Sequence, residues 1–215
     1  NPEVRDVFRN RAKIISTFRR ILDNHGTLEV QTPILSSMAG GANARPFETH
    51  HNTLDMQMFL RIAPELYLKR LIVGMFGRVY ELGQNFRNEG MDTRHNPEYT
   101  SMEVYWAYSS YREMMDLAEE LLVACADELG GRQIDFQGTQ IDLSPPFRRA
   151  TMAELVHEHT GIDFIAISDE EARELAKQRQ IPLTPGMGRY DLLPLFFEMY
   201  VEEKLIQPTF VFGHP

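Results

Sequence analysis

"FRNEGMDTRHNPEYTSMEVYWAY", residues Phe86–Tyr108, sets Arg87, Arg94 and His95 close to Glu89, Glu103, Tyr99 and Tyr105. Side chains of a β-strand alternate between its two faces. Read as two antiparallel strands joined by the loop "GMDTRHNPE", the stretch shows Arg87 and Glu89 on one face of the first strand and Tyr99, Glu103 and Tyr105 on one face of the second. Where these faces coincide, a guanidinium, carboxylates and phenol rings share one surface. Such a surface suits a ligand carrying an oxyanion, an amine and a flat ring: arginine forks onto oxyanions, carboxylates hold ammonium groups, and tyrosine stacks. Arg94 and His95 are placed to swing onto a polyphosphate tail. An ordinary half-solvated strand alternates in the same way, and a surface Arg–Glu pair is worth only about 0–1 kcal/mol. The alternation by itself therefore leaves a plain sheet surface open.

Outward from this window, the first strand extends back through "RVYELGQNF" at 78–86. Before it, Pro64 and Glu65 read as the first turn of a helix, where proline has no donor to lose. Val4, Val7, Phe8, Ile14, Ile15, Phe18, Ile21 and Leu22 recur at three- and four-residue steps, the stripe of an amphipathic helix that His25-Gly26 ends. "LEVQTPIL" then reads as a strand, with Pro33 at an edge or bend. After the window, "REMMDLAEELLVACADEL" reads as a helix stopped by Gly130-Gly131, and "RQIDF" and "TQIDL" as a hairpin around Gln137-Gly138. Ser168 and Glu171 form a capping-box pattern before a charged helix, "RYDLLPLFFEMYVEEKL" is a helix weakened by Pro194, and "PTFVF" is a strand. Strands and helices do not alternate regularly. The expected fold is α+β, an antiparallel sheet flanked by helices. The expected organisation is a core over 1–144, an inserted helical segment over 145–185 and a return to the core over 186–215.

The 43% hydrophobic share over 215 residues suffices for a substantial core, and the net charge of −9 argues against a mainly electrostatic grip on nucleic acid. A single cysteine, Cys125, excludes an internal disulfide framework and a cysteine-based zinc site, which suits the cytoplasm. No apolar run reaches the roughly 18 residues of a membrane span. The start at Asn1 and the stop at "FVFGHP" read as a piece of a longer protein. Several short motifs have bland readings. His50 and His51 would point to opposite faces of a strand, "HEH" at 157–159 lacks the span of a zincin helix, and Gly40-Gly41 lacks the lysine and spacing of a P-loop.

The window resembles the second signature motif of class II aminoacyl-tRNA synthetases: a Phe-Arg-x-Glu strand, a variable loop, then a His followed four residues later by an aromatic, here His95 and Tyr99. "FRRILDNHGTLEVQTPIL" resembles the first motif, a long helix and proline-ended strand that build the dimer interface. "GGANARPFETHHNTLDMQMFLRIAPELYLKRLIVG" and "FRNEGMDTRHNPEYT" resemble lysyl-tRNA synthetases nearly residue for residue, and the likeness resumes at "GRYDLLPLFFEMYVEEKLIQPTFVF". The resemblance implies ATP-dependent activation of lysine to lysyl-adenylate, then transfer to the 3′ end of tRNA, by a cytoplasmic homodimer that uses no membrane.

It also implies roles. Arg87 would bridge the lysine carboxylate and the α-phosphate, Glu89 would accept from the adenine amine, Tyr99 would stack on the purine, and Arg94 with His95 would meet the terminal phosphate. Asn96 adds a polar contact in that loop. Gly41 offers a close backbone approach, Glu65 a carboxylate for the α-ammonium of lysine, and Glu103 with Tyr105 the ε-ammonium site. Without the resemblance, Glu65 reads equally as a complement to the helix dipole. The third motif, its arginine and the two carboxylates that bind Mg2+ in the family have no counterpart here. The chain alone is therefore expected to be weakly active or inactive and to hold no metal. Two other functions fit the same residues: a synthetase-like paralog that lysylates a translation factor, and a non-catalytic nucleotide-binding or interaction module.

Overall fold

The computed structural model describes residues 1–93 and 95–215, which form two compact units, Asn1–Met114 and Met115–Pro215. The first unit opens with α1 (Pro2–Asn24), whose N-cap Asn1 accepts from the Glu3 amide and whose apolar stripe buries Ile21 and Leu22. Two short strands follow, β1 (Leu28–Glu29) and β2 (Leu35–Ser36). The expected single strand over "LEVQTPIL" is thus two pieces in different sheets: β1 pairs parallel to β5 (Arg78–Phe86), whereas β2 pairs antiparallel to β4 (Met56–Leu60). Tertiary pairing outweighs the local run, and the chain bends between them through Pro33. β3 (Glu48–His51) completes the β2-β4-β3 sheet.

β5 pairs antiparallel to β6 (Glu98–Trp106) along its whole length, giving the β1-β5-β6 sheet. Val79, Tyr80 and Glu81 are buried in succession, so this end of β5 is covered on both faces. One cover is α1: Val7, Arg11, Ile14, Ile15 and Phe18 share a cavity of about 460 Å3 with Leu82, Thr100 and Met102. α2 (Glu65–Val73) packs against β5 and β6 and buries Leu68.

In the second unit, α3 (Tyr111–Leu129), begun in the first, buries Leu117, Leu121, Cys125 and Ala126 and ends at Gly130 and Gly131, both at positive φ. The expected hairpin is β7 (Gln133–Phe136) and β8 (Thr139–Asp142), turning through Gln137 and Gly138. β9 (Arg148–Thr151) pairs parallel to β10 (Thr209–Phe212). Between them lie α4 (Met152–Thr160), α5 (Asp169–Gln178), α6 (Arg189–Tyr200) and a 3-10 turn (Glu202–Lys204). Leu155, Val156, Phe164, Ala172, Ala176, Leu192 and Phe196 form one core among these helices. Both expected boundaries, at 144/145 and 185/186, fall inside this unit. Pro194 lies inside α6, as the sequence predicts. The expected fold class holds: mixed α and β, with mainly antiparallel sheets and flanking helices. Among the described residues, no helix is long and apolar enough to cross a membrane.

Candidate active site

The β5–β6 register decides whether the two functional faces meet. Gly83 lies opposite Ser101, Asn85 opposite Tyr99, and Glu81 opposite Glu103. Opposite residues of an antiparallel ladder project to the same face, so Arg87, Asn85, Gly83 and Glu81 share a face with Tyr99, Ser101, Glu103 and Tyr105. Asn85, Arg87, Glu89, Gly90, His95, Asn96, Tyr99, Ser101 and Glu103 line one cavity of about 510 Å3 there. Six of the sequence-predicted site residues therefore converge: Arg87, Glu89, His95, Asn96, Tyr99 and Glu103. Arg94 lies outside the described residues.

Arg87 is fixed at its backbone, where its N–H donates to the Pro97 carbonyl at 2.8 Å. Its guanidinium carbon lies 5.4 Å from the Tyr99 ring centroid, a cation–π distance. Its Nε is buried and has no hydrogen-bond partner. Buried donors are normally satisfied, so this one stands out. Glu89 is held at the rim by the Arg45 amide, 3.4 Å from its Oε1. His95 turns back on its own loop, its Nδ1 2.7 Å from Asp92 Oδ2 and its N–H donating to Asp92 Oδ1 at 2.8 Å.

Glu103 receives a hydrogen bond from the Tyr105 hydroxyl at 3.1 Å. Burial pushes the Glu103 carboxyl above its usual range, and the nearby Glu65 and Glu81 charges push the same way, against Tyr105 and Arg61. Burial likewise raises the Tyr105 phenol, with Glu103 and Glu65 adding to it. The fields of three carboxylates meet here, which favours an arriving cation. Glu65 itself does not line the cavity. It opens α2 directly after Pro64, and its carboxylate forms an ion pair with Lys69 one turn on. Gly41 packs on it: at φ +89, a Cβ there would lie 3.4 Å from the Cβ atoms of both Ala63 and Glu65. Gly41, Glu65 and Tyr105 thus lie outside the walls of the cavity, with Glu65 and Tyr105 electrostatically coupled to Glu103.

Beneath the cavity runs a buried network without counterpart in the sequence reading. Arg61, 5% exposed, and Glu81, 4% exposed, form an ion pair. Glu81 also accepts from the Thr32 amide and hydroxyl, and Arg61 Nε donates to the Gln84 carbonyl at 2.9 Å. The Arg61 carbonyl accepts from the Phe86 amide at 3.0 Å, next to Arg87. Gly83 makes room for this arginine, since a Cβ there would sit 2.5 Å from its Nη2. Arg61 thereby ties the segment leading to Glu65 onto the strand carrying Arg87.

A family model for tRNA synthetases class II (D, K and N) matches residues 1–215. This chain belongs to that family. Among the curated relatives of this family member, the lysine–tRNA ligase of Syntrophomonas wolfei subsp. wolfei is 54% identical over 217 residues, covering 100% of the chain and 44% of the relative. Those of Clostridium acetobutylicum and Clostridium perfringens are 53% and 51% identical over 220 residues, covering the whole chain and 43% and 44% of the relative. The chain thus spans less than half the length of these relatives. Among the described residues of this synthetase chain, no three His, Cys, Asp or Glu side chains group to hold a metal ion. These residues therefore do not fit the Mg2+ that the resemblance implies. The residues missed by sequence reading, Asn85 and Ser101, sit two positions from Arg87 and Tyr99. Strict alternation from those two would have found them.

Proposed function

We propose that this chain carries the lysine-activating site of a cytoplasmic lysine–tRNA ligase that acts as a homodimer. ATP and lysine bind first. A lysine carboxylate oxygen attacks the α-phosphorus, pyrophosphate leaves, and the 3′-terminal hydroxyl of tRNA then takes the lysyl group from the adenylate. Arg87 bridges the carboxylate and α-phosphate and stabilises the charge that gathers as they approach. Tyr99 stacks on adenine, Glu89 accepts from its amine, and Arg94, His95 and Asn96 contact the phosphates. Glu103 and Tyr105 hold the ε-ammonium, and Glu65 with the Gly41 backbone holds the α-amino end. The observation that carries this reading is the unpartnered, buried Arg87 Nε in the same cavity as Tyr99 and Glu103. Identity above 50% to lysine–tRNA ligases over the whole of this chain supports the choice of lysine.

The test grafts this chain into the Syntrophomonas relative in place of the matching 217 residues. Lysine-dependent exchange of labelled pyrophosphate into ATP is the expected result. Norleucine, which lacks the ε-ammonium, should fall behind by about 10^4-fold, because it leaves the half-buried Glu103 carboxylate and the Tyr105 hydroxyl without their cation. A folded chimera that exchanges with neither amino acid, or equally with both, overturns the reading.

The raised Glu103 carboxyl gives a pH signature. An ammonium favours the ionised carboxylate, so lysine binding releases a proton between the ordinary glutamate range and the raised value of Glu103. Affinity therefore climbs with pH through that window and levels off above it. Stability runs the other way: the unfolded chain ionises first, so the contribution of Glu103 falls as pH rises through the same window. Calorimetry in two buffers of different ionisation enthalpy should find proton release in the wild type and none in Glu103→Gln, with about tenfold weaker binding or more. Unchanged proton release in Glu103→Gln would assign the signal elsewhere.

A further inference from the structure

Two buried polar atoms among the described residues have no hydrogen-bond partner, and both line the same cavity. One is the donor Arg87 Nε; the other is the acceptor Asn85 Oδ1. Asn85 is 2% exposed, and its amide is oriented by a neighbour in the cavity wall, because Nδ2 donates to Ser101 Oγ at 2.7 Å. That bond engages the NH2 end and leaves the carbonyl oxygen without a donor. A buried acceptor without a donor costs about 1–3 kcal/mol, so a ligand that brings a donor to it recovers that cost.

The spacing specifies the ligand. Asn85 on β5 and Arg87, the residue just past its end, are two residues apart, and the Arg87 N–H still bonds the Pro97 carbonyl, so the extended run continues and both lie on one face with Cα atoms about 7 Å apart. A donor and an acceptor at that separation match a group that carries an acceptor and a donor on adjacent carbons. The zwitterionic head of an α-amino acid is such a group: its carboxylate meets the guanidinium and its ammonium meets the amide oxygen. A side-chain ammonium several bonds away would not bridge the pair. Phosphate and adenine do not satisfy both either, since phosphate brings only acceptors and adenine is placed against Tyr99. An ammonium has three hydrogens to give, so a contact to Asn85 is compatible with a second one to Glu65.

We infer that Asn85 is a substrate-orienting residue whose carbonyl accepts from the α-ammonium of the amino acid while Arg87 holds the carboxylate. This rests on the lysine-activation reading above. The contact fixes rotation about the Cα–carboxyl bond and so aims the attacking oxygen at the α-phosphorus. It also selects α-amino acids over plain acids, independently of the side chain.

The test compares two probes on this chain by calorimetry. One is lysyl-sulfamoyl-adenosine, a non-hydrolysable adenylate mimic; the other is its 6-aminohexanoyl counterpart, which lacks only the α-amino group. The preference for the first over the second is the readout, since a merely structural role would weaken both alike. Asn85→Leu should cut that preference about tenfold or more, the value of a hydrogen bond to a charged group. Asn85→Asp keeps the shape and the acceptor and should hold or raise the preference. This second variant decides the matter if the leucine variant does not fold. Equal weakening of both probes by Asn85→Leu, or a lower preference in Asn85→Asp, overturns the inference while leaving lysine activation standing. A wild-type chain that binds neither probe overturns both.

Discussion

Arg87→Ala is expected to lower lysine-dependent pyrophosphate exchange in the grafted enzyme by about 10^2- to 10^3-fold, the usual effect of removing one donor aimed at developing transition-state charge. The fall should appear mainly in kcat, because adenine still stacks on Tyr99 and the ε-ammonium still meets Glu103. Arg87→Lys should recover little: an ammonium keeps the charge but cannot fork between a carboxylate and a phosphate, and it presents no second donor where Nε is buried. Steady-state rates for both variants, with lysine and ATP varied separately, check this. Exchange within threefold of wild type for Arg87→Ala would remove the guanidinium from the chemistry and with it the central assignment.

Arg61→Met is expected to destabilise the first unit by about 3–5 kcal/mol, because it leaves the Glu81 charge buried with only Thr32 to meet it. Replacing both partners, as Arg61→Met with Glu81→Met, should recover much of that loss, since no buried charge remains unpaired. Gly83→Ala should act in the same direction through its 2.5 Å clash with the guanidinium. Trp106, the one tryptophan of the chain, reports on this unit from β6, where its indole N–H donates to Thr27 Oγ1 at 2.9 Å and Arg78 covers its ring. Urea unfolding followed by its fluorescence gives the three values. A single-variant loss below about 1 kcal/mol, or a double variant no better than the single, would show that the network does not hold the strand as described.

The parts of the fold that sequence makes legible are those fixed by local rules. β5 and β6 follow from alternation, α3 from its apolar period and the double glycine, and α5 from Ser168 and Glu171, whose reciprocal capping bonds the structure contains. The same rule applied at Thr151 and Glu154 would have found α4, which carries the same box. The division of "LEVQTPIL" into β1 and β2 was beyond such reasoning, because it depends on partners some 25 to 50 residues away: Val79 and Tyr80 for one piece, Phe59 and Leu60 for the other. The site divides along the same line. Tyr99 and Glu103 sit on β6 and Arg87 directly after β5, where the strand period places them, and the register then brings their faces together. Arg61 is different: nothing nearby in the chain marks it, and its importance arises only when Gly83 and Glu81 come to lie against it.

The Lys69–Glu65 contact has a consequence for how the site waits. Both side chains are partly solvated, at 58% and 32% exposure, and a helical pair of that kind is worth about 0.3–0.5 kcal/mol. A resident cation so weakly held keeps the carboxylate turned and ready, yet reduces the affinity of any incoming amine by only about twofold. Under the proposed function Lys69 is thus a placeholder, a tethered ammonium that an arriving α-ammonium displaces from Glu65 at little cost.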